Sequence, residues 1–307
     1  MHRKKIGLSR KTKRTKANKE FKNSLENINS FIEQNFKRKE CVNYVPDPQG
    51  TQVASRPRPC HCGATEREHR SFSQHKKHHL YHQNTIIEES EEEEGGTDHG
   101  IKFKIDAPES VGKEDWKPHL SIREFPTNAF GNIEFDGSIS MGSRFIRLSI
   151  DTDMSKVKQF INDYSDWMNP RPRLAIGIIG GAQNFRLEGR KKETFKTGLI
   201  GALKATNGWV LTAGTDTGVM KLVGEAVEEG QFIVTDGGNV RRGIKAIGLV
   251  NWGMVEDNQE LIRREETGEG MFTVHYSGSN DIQPDQPVPL NPNHTFFILI
   301  DTGYRYS

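Results

Sequence analysis

The sequence predicts an α/β fold: a Rossmann-like parallel sheet flanked by helices, preceded by a partly disordered basic and acidic N-terminal region. Three observations predict it. The apolar run Leu174–Ile179 breaks at Gly180-Gly181-Ala182-Gln183-Asn184-Phe185. A second run, Trp209–Thr212, breaks at Ala213-Gly214-Thr215-Asp216-Thr217-Gly218 and opens into the helical pattern Val219–Val227. Two further apolar runs, Ile244–Val250 and Phe296–Ile300, follow. Continuous apolar strands alternating with amphipathic helices require a sheet covered on both faces.

The elements follow in order. Residues 21–37 carry Phe21, Leu25, Ile28, Phe31, Ile32 and Phe36 at helical spacing, which predicts a short amphipathic helix. Ile133-Glu134-Phe135, the Asp136-Gly137 turn signal and Phe145–Ile150 predict two paired strands. Val157, Phe160, Ile161, Tyr164 and Trp167 predict a helix with one apolar face, capped by Asp153 or Ser155. Asn169-Pro170-Arg171-Pro172 ends it. Phe195, Leu199, Ile200 and Leu203 then face inward on a helix stopped at Gly208, and Gly230 stops the helix after the second glycine loop. The organisation is therefore a basic tail and short helix (1–37), a Cys/His-containing extended region with a flexible acidic insertion (38–100), a strand-helix lead-in (101–170) and the Rossmann-like domain (171–307).

Charge is uneven although the net value is only +2. Arg3, Lys4, Lys5, Arg10, Lys11, Lys13, Arg14, Lys16 and Lys19 form a basic head, and Glu88, Glu89 and Glu91–Glu94 an acidic block. Both read as solvated segments, and no aromatic residue is interleaved with the head to stack on bases, so no nucleic-acid partner is expected. The three cysteines and the absence of a signal peptide indicate a reducing, cytosolic setting. No apolar stretch approaches the roughly 20 residues that span a bilayer.

Both glycine loops fall at carboxyl ends of strands, where sheets of this class bind ligands. Glycines admit close approach of a ligand to the backbone, and the first turn of a helix offers unpaired N–H groups and the positive end of its dipole to an anion. The candidate donors are the amides of Gly180 to Gln183 (Gly180, Gly181, Ala182, Gln183) and of Gly214 to Gly218 (including Gly214 and Gly218). The hydroxyls of Thr215 and Thr217 are candidate phosphate ligands, and Asn184 a polar handle. The alternative is that these glycines only let helices pack closely on the sheet. A standard NAD fingerprint is disfavoured because the second strand ends in Thr212-Ala213-Gly214 rather than in an acidic residue, and no G-K-[ST] follows the glycines.

Cys60-His61-Cys62, His69 and the distant Cys41 are zinc-ligand types, but C-x-C is less specific than C-x-x-C. Buried or free thiols are the favoured reading, and no metal is assigned. The histidine run His75, His78, His79 and His82 reads as solvated loop. Asn293 and His294 are expected to shape a turn before the last strand.

Several blocks carry a family resemblance: Cys41–Pro46, Cys60–Gly63, Phe125–Phe135, Gly180–Phe185, Thr217–Ala226, Trp252–Val255 and Asn293–Asp301. In this order they resemble the cytosolic N-terminal homology region of melastatin-type transient receptor potential (TRPM) channels, a nucleotide-sensor domain of the SLOG type. They are most similar to the ADP-ribose-gated and cold-sensing branch. The resemblance implies a homotetrameric, calcium-permeable cation channel at the cytoplasmic face of a membrane, with the rest of the channel polypeptide and sister subunits as partners. It further implies an ADP-ribose-like ligand held by residues matching Gly180, Gly181, Ala182, Asn184, Gly214, Thr215 and, loosely, Tyr306. Ile179 stands where ligand-binding members tend to have threonine, and the family's remaining sheet, second glycine loop and phosphate-clamping arginines are expected beyond Ser307.

The helix-opening motif also resembles lysine-decarboxylase-like phosphoribohydrolases. Their Pro-Gly-Gly-x-Gly-Thr segment and catalytic glutamate have no counterpart here, and Glu225 reads as a surface charge. No enzymatic activity is expected. A stand-alone nucleotide-binding protein is the alternative to a channel's sensing and assembly region.

Overall fold

The computed structural model describes residues 27–49, 58–69, 116–136, 142–163, 172–181, 187–231, 233–236, 239–263, 272–278 and 286–305. The basic head, the acidic block, Phe21, Leu25, the 75–82 histidine run, Gly137, Tyr164, Trp167 and Asn169–Arg171 lie outside the described residues. The chain divides into two units. The first comprises residues 1–38, 124–302 and 306–307, and the second residues 39–123 and 303–305.

Helix α1 occupies residues 27–35. The strands are β1 (Lys37–Cys41), β2 (Ile122–Pro126), β3 (Phe130–Phe135), β4 (Ser143–Ser149), β5 (Ala175–Gly177), β6 (Trp209–Thr212), β7 (Ile233–Asp236), β8 (Asn239–Arg242), β9 (Lys245–Asn251), β10 (Thr273–Tyr276) and β11 (Phe296–Asp301). The longer helices are α2 (Met154–Asp163), α3 (Gly189–Thr206) and α4 (Gly218–Gly230). β1 and β2 form one small sheet and β7 and β8 another.

The first unit is built on a seven-stranded sheet in the order β10-β3-β4-β11-β9-β6-β5. β3 and β4 pair antiparallel, as the turn signal between them predicts, and every other neighbour pair is parallel. From β5 the chain steps through β6 and β9 to β11 without reversing direction. Right-handed crossovers in one direction put their helices on one face, and α3 and α4 share a face. There Leu199 and Leu203 of α3 and Val223, Ala226 and Val227 of α4 pack on Val210 and Ala246. Phe145, Phe297 and Val250 continue this face by register and are covered by Trp252, Val255, Leu261 and Tyr276. On the other face Trp209, Ile247, Phe296, Ile146 and Leu148 meet Ile28, Ile32 and Phe36 with Val157 and Phe160 of α2. The sheet is covered on both sides, as expected.

Several expectations need correcting. The run Leu174–Ile179 forms only the three-residue edge strand β5, with Leu174 42% exposed and Ile179 fully exposed. An apolar run predicts a strand but not whether neighbours flank it on both sides. α3 is closed by Asn207 rather than Gly208, because Asn207 adopts the left-handed conformation (φ 47°) and its amide bonds back to Leu203. Asparagine tolerates that region better than most residues. Gly230 is the last helical residue of α4 and has no positive φ. A side chain there would strike Ile200 at 2.7 Å, so close helix packing is what requires the glycine. Two elements are not predicted from the sequence: the β7–β8 hairpin between Gly230 and Gly243, and β10 within residues 264–291.

Asp153 caps α2 as expected, accepting the Ser155 amide at 2.8 Å and the Ser155 hydroxyl at 2.5 Å. These bonds favour the charged form and hold the Asp153 carboxyl below the usual range.

Candidate functional site

β5 and β6 run parallel with Gly177 opposite Leu211, and the Ile178 amide extends the ladder to the Leu211 carbonyl at 2.8 Å. The two glycine loops therefore leave the same ends of adjacent strands. They also meet. The Val219 amide, in the first turn of α4, approaches the Gly181 carbonyl at 3.4 Å. A Cβ on Gly180 would lie 3.0 Å from Val219 Cγ1. Gly180 and Gly181 are exposed, Gly218 is half-buried, and Gly214, Thr215 and Thr217 are buried. Ala182, Gln183, Asn184 and Tyr306 lie outside the described residues.

The second loop is held by its surroundings. Gly214 sits at φ +72°, and a Cβ there would lie 2.6 Å from the Gly248 Cα and 2.9 Å from Val250, so both the conformation and the close approach require glycine. Thr215 bridges to Leu290, the Asp216 amide donates to the Pro289 carbonyl at 2.8 Å, and the Asn291 amide donates to the Gly214 carbonyl at 2.9 Å. The hydroxyls of Thr215 and Thr217 are bonded to each other at 2.9 Å. The amides of Gly214, Asp216 and Val219 thus have protein acceptors. Those of Gly218 and Met220 have no backbone acceptor among the described residues. They point the anion-donating capacity of the loop to the start of α4.

Beneath the loop runs a polar chain that sequence reasoning missed. Lys221 pairs with Asp216 at 3.2 Å, and Asn291 Nδ2 donates to Asp216 Oδ1 at 2.7 Å. With its amide nitrogen so committed, Asn291 Oδ1 accepts from the Asn293 amide at 3.1 Å and from His294 Nδ1 at 3.0 Å. This fixes the tautomer: Nε2 of His294 accepts from the Thr212 hydroxyl at 2.8 Å, whose oxygen accepts the Gly214 amide at 2.8 Å. His294 is fully buried. The expected turn is present, and its histidine also braces the glycine loop. The signal was available in Asn291-Pro292-Asn293-His294, a polar run abutting a wholly apolar strand. Gly224 belongs to the same assembly, since a Cβ there would lie 2.3 Å from Asn291 Oδ1.

Glu225 pairs with Lys192 of α3 at 2.5 Å, both about one-third exposed, a surface tie between helices. At the carboxyl ends of β4 and β11, Arg147 and Asp301 form a buried ion pair. Nε and an Nη reach Asp301 Oδ2 at 2.8 and 2.7 Å, and the guanidinium lies 4.1 Å from the Trp252 ring centre.

In the second unit the structure gathers Cys41, Cys60, Cys62 and His69, all buried, with their ligand atoms within 4.8 Å of one another. Hydrogen bonds from Cys41 and Cys62 hold the Cys60 thiol far below the usual thiol range. Cys62 is pushed up by its bonds to Cys41 and Cys60 and by burial. For His69 burial acts to lower the value, but bonds to the Cys41 and Cys60 sulfurs and to the Thr65 carbonyl raise it to about 10.

The family model described as SLOG in TRPM matches residues 143–306, from β4 through both glycine loops to the end of the sheet. The chain belongs to this TRPM SLOG family. It is 32% identical over 275 residues to a transient receptor potential cation channel subfamily M member-like 2 of Nematostella vectensis, covering 89% of this chain and 15% of the relative. It is 31% identical over 279 residues to subfamily M member 2 of Rattus norvegicus (91% and 16%). To subfamily M member 6 of Mus musculus it is 28% identical over 284 residues (89% and 12%). The TRPM SLOG chain thus spans between 12% and 16% of the length of these channel polypeptides. Among its described residues no helix is long and apolar enough to cross a membrane.

Proposed function

We propose that this chain is the N-terminal sensing and assembly region of a TRPM-type calcium-permeable cation channel, at the cytoplasmic face of the membrane and within a homotetramer. We further propose that its paired glycine loops hold the diphosphate of an ADP-ribose-like nucleotide. The observation that supports this reading is the meeting of the loops after β5 and β6, with exposed Gly180 and Gly181 beside the first turn of α4. Such a lip gives an anion backbone donors and a helix dipole without competing side chains. Gly218 and Met220 supply the donors, and Thr215 and Thr217 can each turn a hydroxyl to phosphate by giving up the bond they share. Ala182, Gln183, Asn184 and Tyr306 complete the proposed ligand set.

Calorimetry with ADP-ribose, AMP and NAD on the purified chain tests the proposal. Saturable ADP-ribose binding is expected, weakened about tenfold by Thr215→Val, since one lost hydrogen bond to a charged group is worth about 1.5 kcal/mol. Absence of saturable heat with ADP-ribose, or an affinity untouched by the substitution, contradicts it. Release of free base from the nucleotide would instead favour a phosphoribohydrolase-like enzyme.

A further inference from the structure

We propose that Cys41, Cys60, Cys62 and His69 bind one structural zinc ion that holds the second unit together. Each residue reaches the cluster for a local reason. Cys41 is the last residue of β1. Cys60 and Cys62 lie on a tight turn closed by the Gly63 amide on the Cys60 carbonyl (2.7 Å) and the Cys60 amide on the Ala64 carbonyl (2.9 Å). Gly63 takes φ +85° there, and a Cβ would lie 2.7 Å from the Arg305 carbonyl oxygen. The Arg305 amide donates to the Cys62 carbonyl at 2.7 Å and pins the turn from behind.

His69 is brought in by a capping box. The Thr65 hydroxyl and amide both donate to the Glu68 carboxylate, and the Glu68 amide returns to the Thr65 hydroxyl at 3.4 Å. One helical turn follows at 66–69, and it carries His69 to the sulfurs. Its Nδ1 lies 2.7 Å from the Thr65 carbonyl and donates to it, which leaves Nε2, the nitrogen a metal would take, facing Cys62 Sγ at 3.5 Å. A ligating histidine is oriented in this way by a carbonyl on its other nitrogen. The Val45 amide and Trp116 Nε1 donate to the sulfurs of Cys60 and Cys41, both at 3.4 Å. The Cys41 and Cys60 sulfurs lie 3.2 and 3.5 Å from the Asn43 carbonyl, and zinc would take the place of any thiol proton held there.

The dimensions and the donor set fit zinc. Zinc–sulfur bonds of about 2.3 Å in a tetrahedron space the ligand atoms roughly 3.8 Å apart, inside the observed 4.8 Å envelope. Three thiolates and an imidazole select zinc over calcium or magnesium, which take oxygen. Among the described residues the second unit shows no aliphatic core that would hold it otherwise. Among the described residues its buried cluster is the three cysteines, with Tyr44, Ala64, Trp116, Ile122 and Tyr304 partly buried around them. Small modules of this kind depend on a metal or disulfides for stability.

The test uses the full chain, purified under reducing conditions without chelator. Elemental analysis is expected to find one zinc per chain. Replacement by cobalt is expected to give the thiolate charge-transfer and strong ligand-field absorption of a tetrahedral site, which the 75–82 histidines cannot produce. The three cysteines are the only ones in the chain, so thiol titration should show all of them shielded until a chelator is added. Cys60→Ser and His69→Ala should lose the metal at least tenfold more readily to a competing chelator, while His61→Ala keeps it. A parent chain with no zinc and no thiolate–cobalt absorption, thiols that react freely without chelator, or a His69→Ala variant that holds zinc as tightly as the parent overturns the proposal.

Discussion

Asp301→Ala is expected to destabilise the chain by about 3–5 kcal/mol, because it strands the buried Arg147 guanidinium without its carboxylate. Both side chains are almost wholly buried, at 4% and 1% exposure. The two strands that carry them are neighbours at the centre of the sheet, and the Trp252 ring lies against the guanidinium, so water reaches the charge only by displacing that packing. The pair need not be worth that much. Once desolvation is set against attraction, a buried ion pair is often no better than apolar groups of the same volume. Replacing both residues together, Arg147→Met with Asp301→Leu, should recover most of the loss. Denaturant unfolding of the two variants checks this, and equal losses in both would show that shape rather than charge governs the position.

Gly214→Ala is expected to cost about 3 kcal/mol and to spoil the candidate site at the same time. A left-handed backbone costs an L-residue roughly 1–2 kcal/mol, and overpacking a filled region adds about 1–3 kcal/mol. The obstruction is the Gly248 main chain at 2.6 Å, which cannot rotate away as a side chain could. Gly248 is constrained in return, its own Cβ position lying 2.7 Å from Gly214 Cα and 2.8 Å from Phe297. The two glycines let the second loop fold down against β9. An alanine lifts the loop and pulls on the Thr212–His294–Asn291 chain that braces it. Thermal unfolding should show the loss, and unchanged stability would mean that the loop is free to move where it is drawn as locked.

β6, α4, β9 and β11 were legible because each coincides with a change that a short window can see, an apolar run ending at glycine or at a helical pattern. β10 was not. Thr273-Val274-His275-Tyr276 is a four-residue strand in a polar stretch, and its identity comes from pairing with β3, more than a hundred residues earlier. The edge position of β5 was hidden for the same reason, since Ile176 and Ile179 look alike in sequence while one is half-buried and the other fully exposed. The glycine loops could be read one at a time. What could not be read was that Gly214 is spent on packing and Gly181 on contact with Val219. The cysteine cluster shows a middle case. Cys41 lies far from Cys60 along the chain, but the Thr65–Glu68 capping box, visible as T-x-x-E, already sets the direction of His69 toward the C-x-C turn.

That the two loops form one anion-binding lip is tested by amide chemical-shift mapping of the isotope-labelled chain during ADP-ribose titration. Progressive, saturable shifts are expected at Gly180, Gly181, Thr217 and Gly218, with little change at Cys60, Cys62 and Gly63. Shifts that leave these loop amides in place while the ligand saturates another part of the chain would contradict it.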